Sequence, residues 1–89
     1  CLKALVTADD VIHTKPDPEP YLSAATMLGI NAKECLVIEN AILGIDSAKS
    51  AGCHCFALET TLSANYLAKA DEVFDSHENL FTKLMTLFN

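Results

Sequence analysis

The stretch Cys35-Leu36-Val37-Ile38-Glu39-Asn40-Ala41-Ile42-Leu43-Gly44-Ile45-Asp46-Ser47-Ala48-Lys49-Ser50-Ala51-Gly52-Cys53-His54-Cys55-Phe56-Ala57-Leu58 decides the fold. Cys35 to Ile38 is a continuous apolar run, as expected of a strand buried on both faces in a parallel sheet. After Asn40 the period changes, and Leu43, Ile45, Ala48 and Ala51 fall inward on a helix that Gly52 closes. Cys53 to Leu58 is a second apolar run. Strand, helix and strand in this order make a βαβ unit, in which the two strands lie parallel.

The same alternation continues outward. Upstream, Leu2 to Thr7 is a strand candidate, and Asp9-Asp10 and the polar residues to Thr14 read as a loop. Lys15-Pro16-Asp17-Pro18-Glu19-Pro20 cannot be helical throughout, because each proline restricts the residue before it. It can open a helix, with Asp17 as N-cap and Pro18 at the first helical position. Tyr21, Leu22, Ala25 and Leu28 then share a face, and Gly29 is the stop. Downstream, Ser63 to Ala70 is a short-helix candidate and Asp71 to Phe74 a short strand. Ser76 is placed to cap a last helix carrying Leu80, Phe81, Leu84, Leu87 and Phe88. The prediction is an α/β fold, a three-layer parallel sheet forming one unit over residues 1–89.

Composition narrows the function. The chain has 89 residues, 51% of them hydrophobic, which suits one small packed domain. Six basic against twelve acidic residues leave a net charge of -6 with no basic cluster, which argues against nucleic acid as a partner. No apolar run is long enough to span a bilayer. Cys1, Cys35, Cys53 and Cys55 lack zinc-finger spacing, and reduced thiols of a cytoplasmic protein are the expected reading. In Cys53-His54-Cys55 the histidine would face away from both thiols on a strand, which disfavours a metal site there.

In open parallel sheets ligands bind at the carboxyl ends of the strands. Glu39-Asn40, Glu59-Thr60-Thr61 and Asp75-Ser76 occupy those ends, and Lys15 sits in a proline-stiffened loop that could reach them. Carboxylate and amide oxygens are hard ligands suited to magnesium. A cation and a lysine are the charges needed to neutralise a transferring phosphoryl group. Each residue also has an ordinary role: Lys15 as a solvated loop lysine, Glu39 as a strand-end carboxylate, Asn40 as a helix N-cap. Asp46 reads as a solvated helix face, and His13, His54 and His77 have no partners at catalytic spacing.

Lys15-Pro16-Asp17-Pro18-Glu19-Pro20-Tyr21 is similar to the lysine motif of the haloacid dehalogenase superfamily. Cys35 to Ala41, with Leu43-Gly44-Ile45 and Ala51-Gly52, resembles its acidic motif, and Ala70-Asp71-Glu72-Val73 its last strand. The nearest subgroup is that of the β-phosphoglucomutase-like phosphatases and phosphohexomutases. The resemblance implies a Rossmann-like core and magnesium-dependent phosphoryl transfer from a small phosphorylated metabolite through an aspartyl-phosphate. Lys15 would stabilise charge on the nucleophile and the phosphoryl oxygens. Glu39 and Asn40 would hold the magnesium, directly or through water. Asn40 stands where the family usually has Asp, which removes a negative charge from the site.

The family's nucleophile lies in an Asp-x-Asp motif on a central strand, followed by a cap and a Ser/Thr strand. No Asp-x-Asp occurs in these 89 residues, since Asp9-Asp10 has the wrong spacing and follows the wrong strand. The expectation is therefore the C-terminal part of such a core, inactive alone. The alternative is a short, non-catalytic interaction module derived from the same fold. Without the central strands, Cys35 to Ile38 would become an apolar edge open to pairing. The strand at 4–7 could move in beside it, a second copy could pair with it, or a missing N-terminal half could cover it.

Overall fold

The computed structural model describes residues 2–7, 18–59 and 67–88. In chain order these form β1 (Ala4–Thr7), α1 (Glu19–Leu28), a 3-10 turn (Ala32–Glu34), β2 (Cys35–Glu39), α2 (Ile42–Ala51), β3 (His54–Leu58), β4 (Glu72–Phe74) and α3 (His77–Phe88). All strand pairs are parallel and the sheet order is β1-β2-β3-β4.

The first of the three arrangements open to the apolar edge is the one observed. β1 lies directly beside β2, with Ala4 opposite Cys35 and Thr7 opposite Ile38. The Lys3 N–H extends the ladder to the Glu34 carbonyl at 2.7 Å. An apolar strand must pair its backbone groups on both sides when water is excluded, and β1 supplies the second set for β2. Among the described residues β1 is thus the strand at this edge of the sheet, and Cys35–Glu39 is interior.

Side chains alternate across the sheet as strand geometry requires. On one face Val6, Cys35, Val37, Cys53, Cys55 and Ala57 pack with Tyr21, Ala25, Ile45 and Ala48 of α1 and α2. On the other face Leu36, Phe56, Leu58 and Phe74 pack with Leu80, and Ile38 and Leu84 lie against them. The Phe56 and Phe74 rings sit 5.3 Å apart and tilted by 56°, a favourable aromatic arrangement. Helices on both faces of a parallel sheet give the predicted three layers. Burial pushes the Cys53 thiol up to about 11 and the Cys55 thiol up to about 12, so both remain protonated core residues at neutral pH.

The helix stops fall where glycine permits a left-handed residue: Gly29 at φ 72° and Gly52 at φ 88°. Ser76 caps α3 by accepting the Asn79 N–H at 3.1 Å. Three expectations are corrected. Pro18 is the N-cap of α1, and its carbonyl accepts the Leu22 N–H at 3.0 Å. Ala41 is the N-cap of α2, with no side-chain cap bond, so Asn40 lies outside the helix and does not cap it. On α2 the inward face is Gly44, Ile45, Ser47, Ala48 and Ala51, whereas Leu43 is exposed. With the start at Ile42, position 43 points away from the sheet. The short helix expected at Ser63 to Ala70 lies mostly outside the described residues; its end is a turn closed by Ala70 N–H to the Leu67 carbonyl at 3.1 Å.

The segment between β3 and β4 is anchored by charge. Lys49 donates to both Asp71 oxygens, at 3.0 and 2.8 Å, and to the Cys53 carbonyl. Asp71 also accepts the Cys55 N–H at 2.7 Å. Partial burial raises the Asp71 pKa, but the bonds from Lys49 and Cys55 outweigh it and hold the carboxyl below its ordinary value.

Candidate functional site

The carboxyl edge of the sheet is built around the end of β2. Strand alternation turns Glu39 toward the face that carries α1 and α2. A carboxylate entering that apolar layer needs hydrogen-bond donors to offset its desolvation. Tyr21 of α1 donates its hydroxyl to Glu39 Oε2 at 2.8 Å, and the Asn40 N–H donates to Oε1 at 3.1 Å. Glu39 is consequently only 2% exposed, and Tyr21 only 1%. Burial and the Glu39 carboxylate together push the Tyr21 phenol well above its usual value, so it stays a donor at any physiological pH.

Gly44 completes the pocket. A Cβ at this position would fall inside the Glu39 carboxylate, so the side chain lies directly against the backbone of α2. The contact is in the first turn of that helix, whose positive dipole end favours a negative charge. Helix start, glycine and tyrosine thus all act on one carboxylate.

Asn40 is exposed, and its side chain makes no hydrogen bond to the described residues. With its capping role removed, its amide sits at the surface next to the buried carboxylate. The structure therefore brings Glu39 and Asn40 together at the strand end as neighbours of opposite exposure. Lys15, the third expected site residue, lies outside the described residues. So do Thr60 and Thr61. At the end of β4, Asp75 accepts the Asn79 amide at 2.8 Å beside the Ser76 cap. Asp46 is half-buried and pairs with Lys69 at 3.3 Å.

The donor set suits a divalent cation of the magnesium type. A carboxylate and a carboxamide oxygen are hard ligands, and a magnesium ion keeps several waters through which a recessed carboxylate can act. Among the described residues no group of three or more His, Cys, Asp or Glu side chains is placed to hold a metal. Glu39 and Asn40 can thus supply part of a coordination shell.

Sequence reasoning placed Glu39 and Asn40 at this edge and missed Tyr21 and Gly44. Both left signals. A tyrosine on an inward face needs an acceptor for its hydroxyl. A glycine in the first turn of a helix costs stability unless something must approach closely.

This is the architecture of part of an open parallel α/β core, with an acidic strand end leading into a helix. The family model of haloacid dehalogenase-like hydrolases matches residues 1–58, and the chain belongs to that family. Over 70 residues it is 47% identical to validoxylamine A 7'-phosphate phosphatase of Streptomyces hygroscopicus subsp. limoneus, covering 79% of this chain and 33% of that protein. It is 37% identical over 78 residues to hexitol phosphatase A of Escherichia coli, covering 88% and 36%. The β-phosphoglucomutase of Clostridium difficile superposes with a TM-score of 0.72 at 32% identity, covering 89% of this chain and 34% of that one. The chain spans about a third of the length of these relatives. No helix among the described residues is long and apolar enough to cross a membrane.

Proposed function

We propose that the chain is the C-terminal part of the core of a magnesium-dependent phosphatase or phosphohexomutase acting on a small phosphorylated metabolite in the cytoplasm. The observation that carries this reading is the end of β2. There a buried, hydrogen-bonded Glu39 stands beside an exposed Asn40 just before α2. These two would hold the cation, which neutralises charge on a transferring phosphoryl group when bound. Lys15 would supply the second positive charge to the same group. The relatives named for phosphate monoesters support the substrate class.

In this reading the aspartate that accepts the phosphoryl group lies outside the 89 residues, and the chain alone is inactive. With para-nitrophenyl phosphate and magnesium, no turnover above buffer is expected. Turnover that Lys15→Ala abolishes would overturn this, because it would require a nucleophile within the chain. The groove lined by Leu5, Phe81, Leu84, Met85 and Phe88 lies beside the β1 edge. It supports association of this face with the remaining part of such a core or with a second copy.

A further inference from the structure

The start of β2 and the approach to β3 place two cysteines side by side. Leu36 stands opposite His54 in the parallel register, so one residue earlier Cys35 stands opposite Cys53. Both side chains enter the core layer that α1 and α2 cover, and both residues are only 1% exposed. Neighbouring strands run ~4.8 Å apart, inside the Cα separation of about 4.4–6.8 Å that a disulfide spans. The two thiols are free and hydrogen-bond to each other. Cys55 is also free and buried. It lies two residues further along the strand direction, about 7 Å from Cys53 and about 8 Å from Cys35. We propose that Cys35 and Cys53 form a modification site, a redox pair that a hydroperoxide-class oxidant closes to a disulfide and a small thiol reopens. The inference is independent of the function proposed above.

The pair is asymmetric. Burial, and then the Glu34 charge, raises the Cys35 thiol, and burial raises Cys53 to about 11. The bond between them acts in opposite senses, favouring the Cys35 thiolate and disfavouring that of Cys53. Cys35 is therefore the attacking sulfur, since the thiolate is the nucleophile. It attacks one peroxide oxygen, the O–O bond breaks, and the departing hydroxide takes up the thiol proton as water. The sulfenic acid so formed condenses with the adjacent Cys53 thiol, which forms the S–S bond and releases a second water. Two thiols give up two electrons, and one peroxide takes them. Thiol–disulfide exchange with an excess of a small thiol reverses the step. Both positions are flanked by residues that reach the surface: Glu34 is half-buried, and Gly52 and His54 are exposed. A molecule the size of hydrogen peroxide thus needs only local opening of the strand starts. Scarce thiolate makes the closure slow. The bond closes the loop from 35 to 53, which holds β2 and α2, and fixes the two strands at their starts.

The test uses the full chain carrying Cys1→Ser, kept folded in dilute hydrogen peroxide for hours, then alkylated and cut with trypsin. The expected product has lost two hydrogens and links residues 34–49 to residues 50–69. The link should persist when Cys55→Ala is added, be absent with Cys53→Ser, and vanish with dithiothreitol. A closed loop restricts the unfolded chain, so the oxidised protein should melt about 10 °C higher than the reduced one. Four results would each overturn the proposal: thiols that stay unreacted or go on to sulfinic acid, a link that needs Cys55, a link formed only in urea, or a melting temperature no higher than that of the reduced chain. Should Cys53→Ser not fold, fragmentation of the linked peptide from the Cys1→Ser chain decides. A bond at Cys53 is expected, and a bond at Cys55 overturns the proposal.

Discussion

Replacing Gly44 with alanine is expected to destabilise the protein by about 2–4 kcal/mol. An alanine in a helix interior is ordinarily better than glycine by about 1 kcal/mol, so the sign itself is diagnostic. The added methyl would occupy the space of the Glu39 carboxylate. Either α2 moves away from the end of β2, or the carboxylate leaves Tyr21 and the Asn40 N–H. In the second case the Tyr21 hydroxyl loses, within the core, the acceptor it has in the folded chain. A domain of this size loses about 4–8 °C of melting temperature per kcal/mol. Thermal melting of the variant should therefore show a fall of at least about 8 °C. The double variant with Glu39→Ala should be less destabilised than the sum of the two single changes, since the clash has then been removed. Additive effects would show that Gly44 serves some other purpose.

The second large effect is Leu36→Ala, expected to cost about 3 kcal/mol. Leu36 is fully buried, on the sheet face covered by α3, between Phe56 and Leu80 and their neighbours. It lies in β2, which pairs with β1 on one side and β3 on the other. A cavity here would loosen α3, which rests on this face largely through Leu80 and Leu84. Total stabilities near 5–15 kcal/mol are usual for domains, and a chain of 89 residues belongs at the low end. Chemical denaturation should show a lower midpoint with the same slope. An unchanged midpoint would contradict the interior placement of β2. Such a result would favour a chain in which Cys35–Glu39 forms an edge.

The order of elements was legible because each one carries its own period. Apolar runs at Cys35 to Ile38 and Cys53 to Leu58, with Gly29 and Gly52 as stops, need no tertiary information. Helix orientation was less legible. Moving the start of α2 from Asn40 to Ala41 as cap rotates which residues face the sheet, and Leu43 moves to the surface. The neighbour of β1 was open among three arrangements, since strand pairing depends on what else competes for the edge of β2. At the site, Glu39 and Asn40 were visible through their place after a buried strand. Tyr21 was visible as apolar surface only, because its bond to Glu39 joins residues far apart in sequence. Gly44 was counted as part of a motif, and its physical reason emerged only from the carboxylate lying against it.

The most direct test of the central claim is a magnesium titration of the labelled chain followed by backbone amide shifts. The account predicts saturable changes centred on Glu39, Asn40 and Ala41, reversed by a chelator and lost in Glu39→Gln. Magnesium-induced changes confined to other acidic residues, or none at all, would contradict the assignment of this strand end as the cation side of a phosphoryl-transfer site.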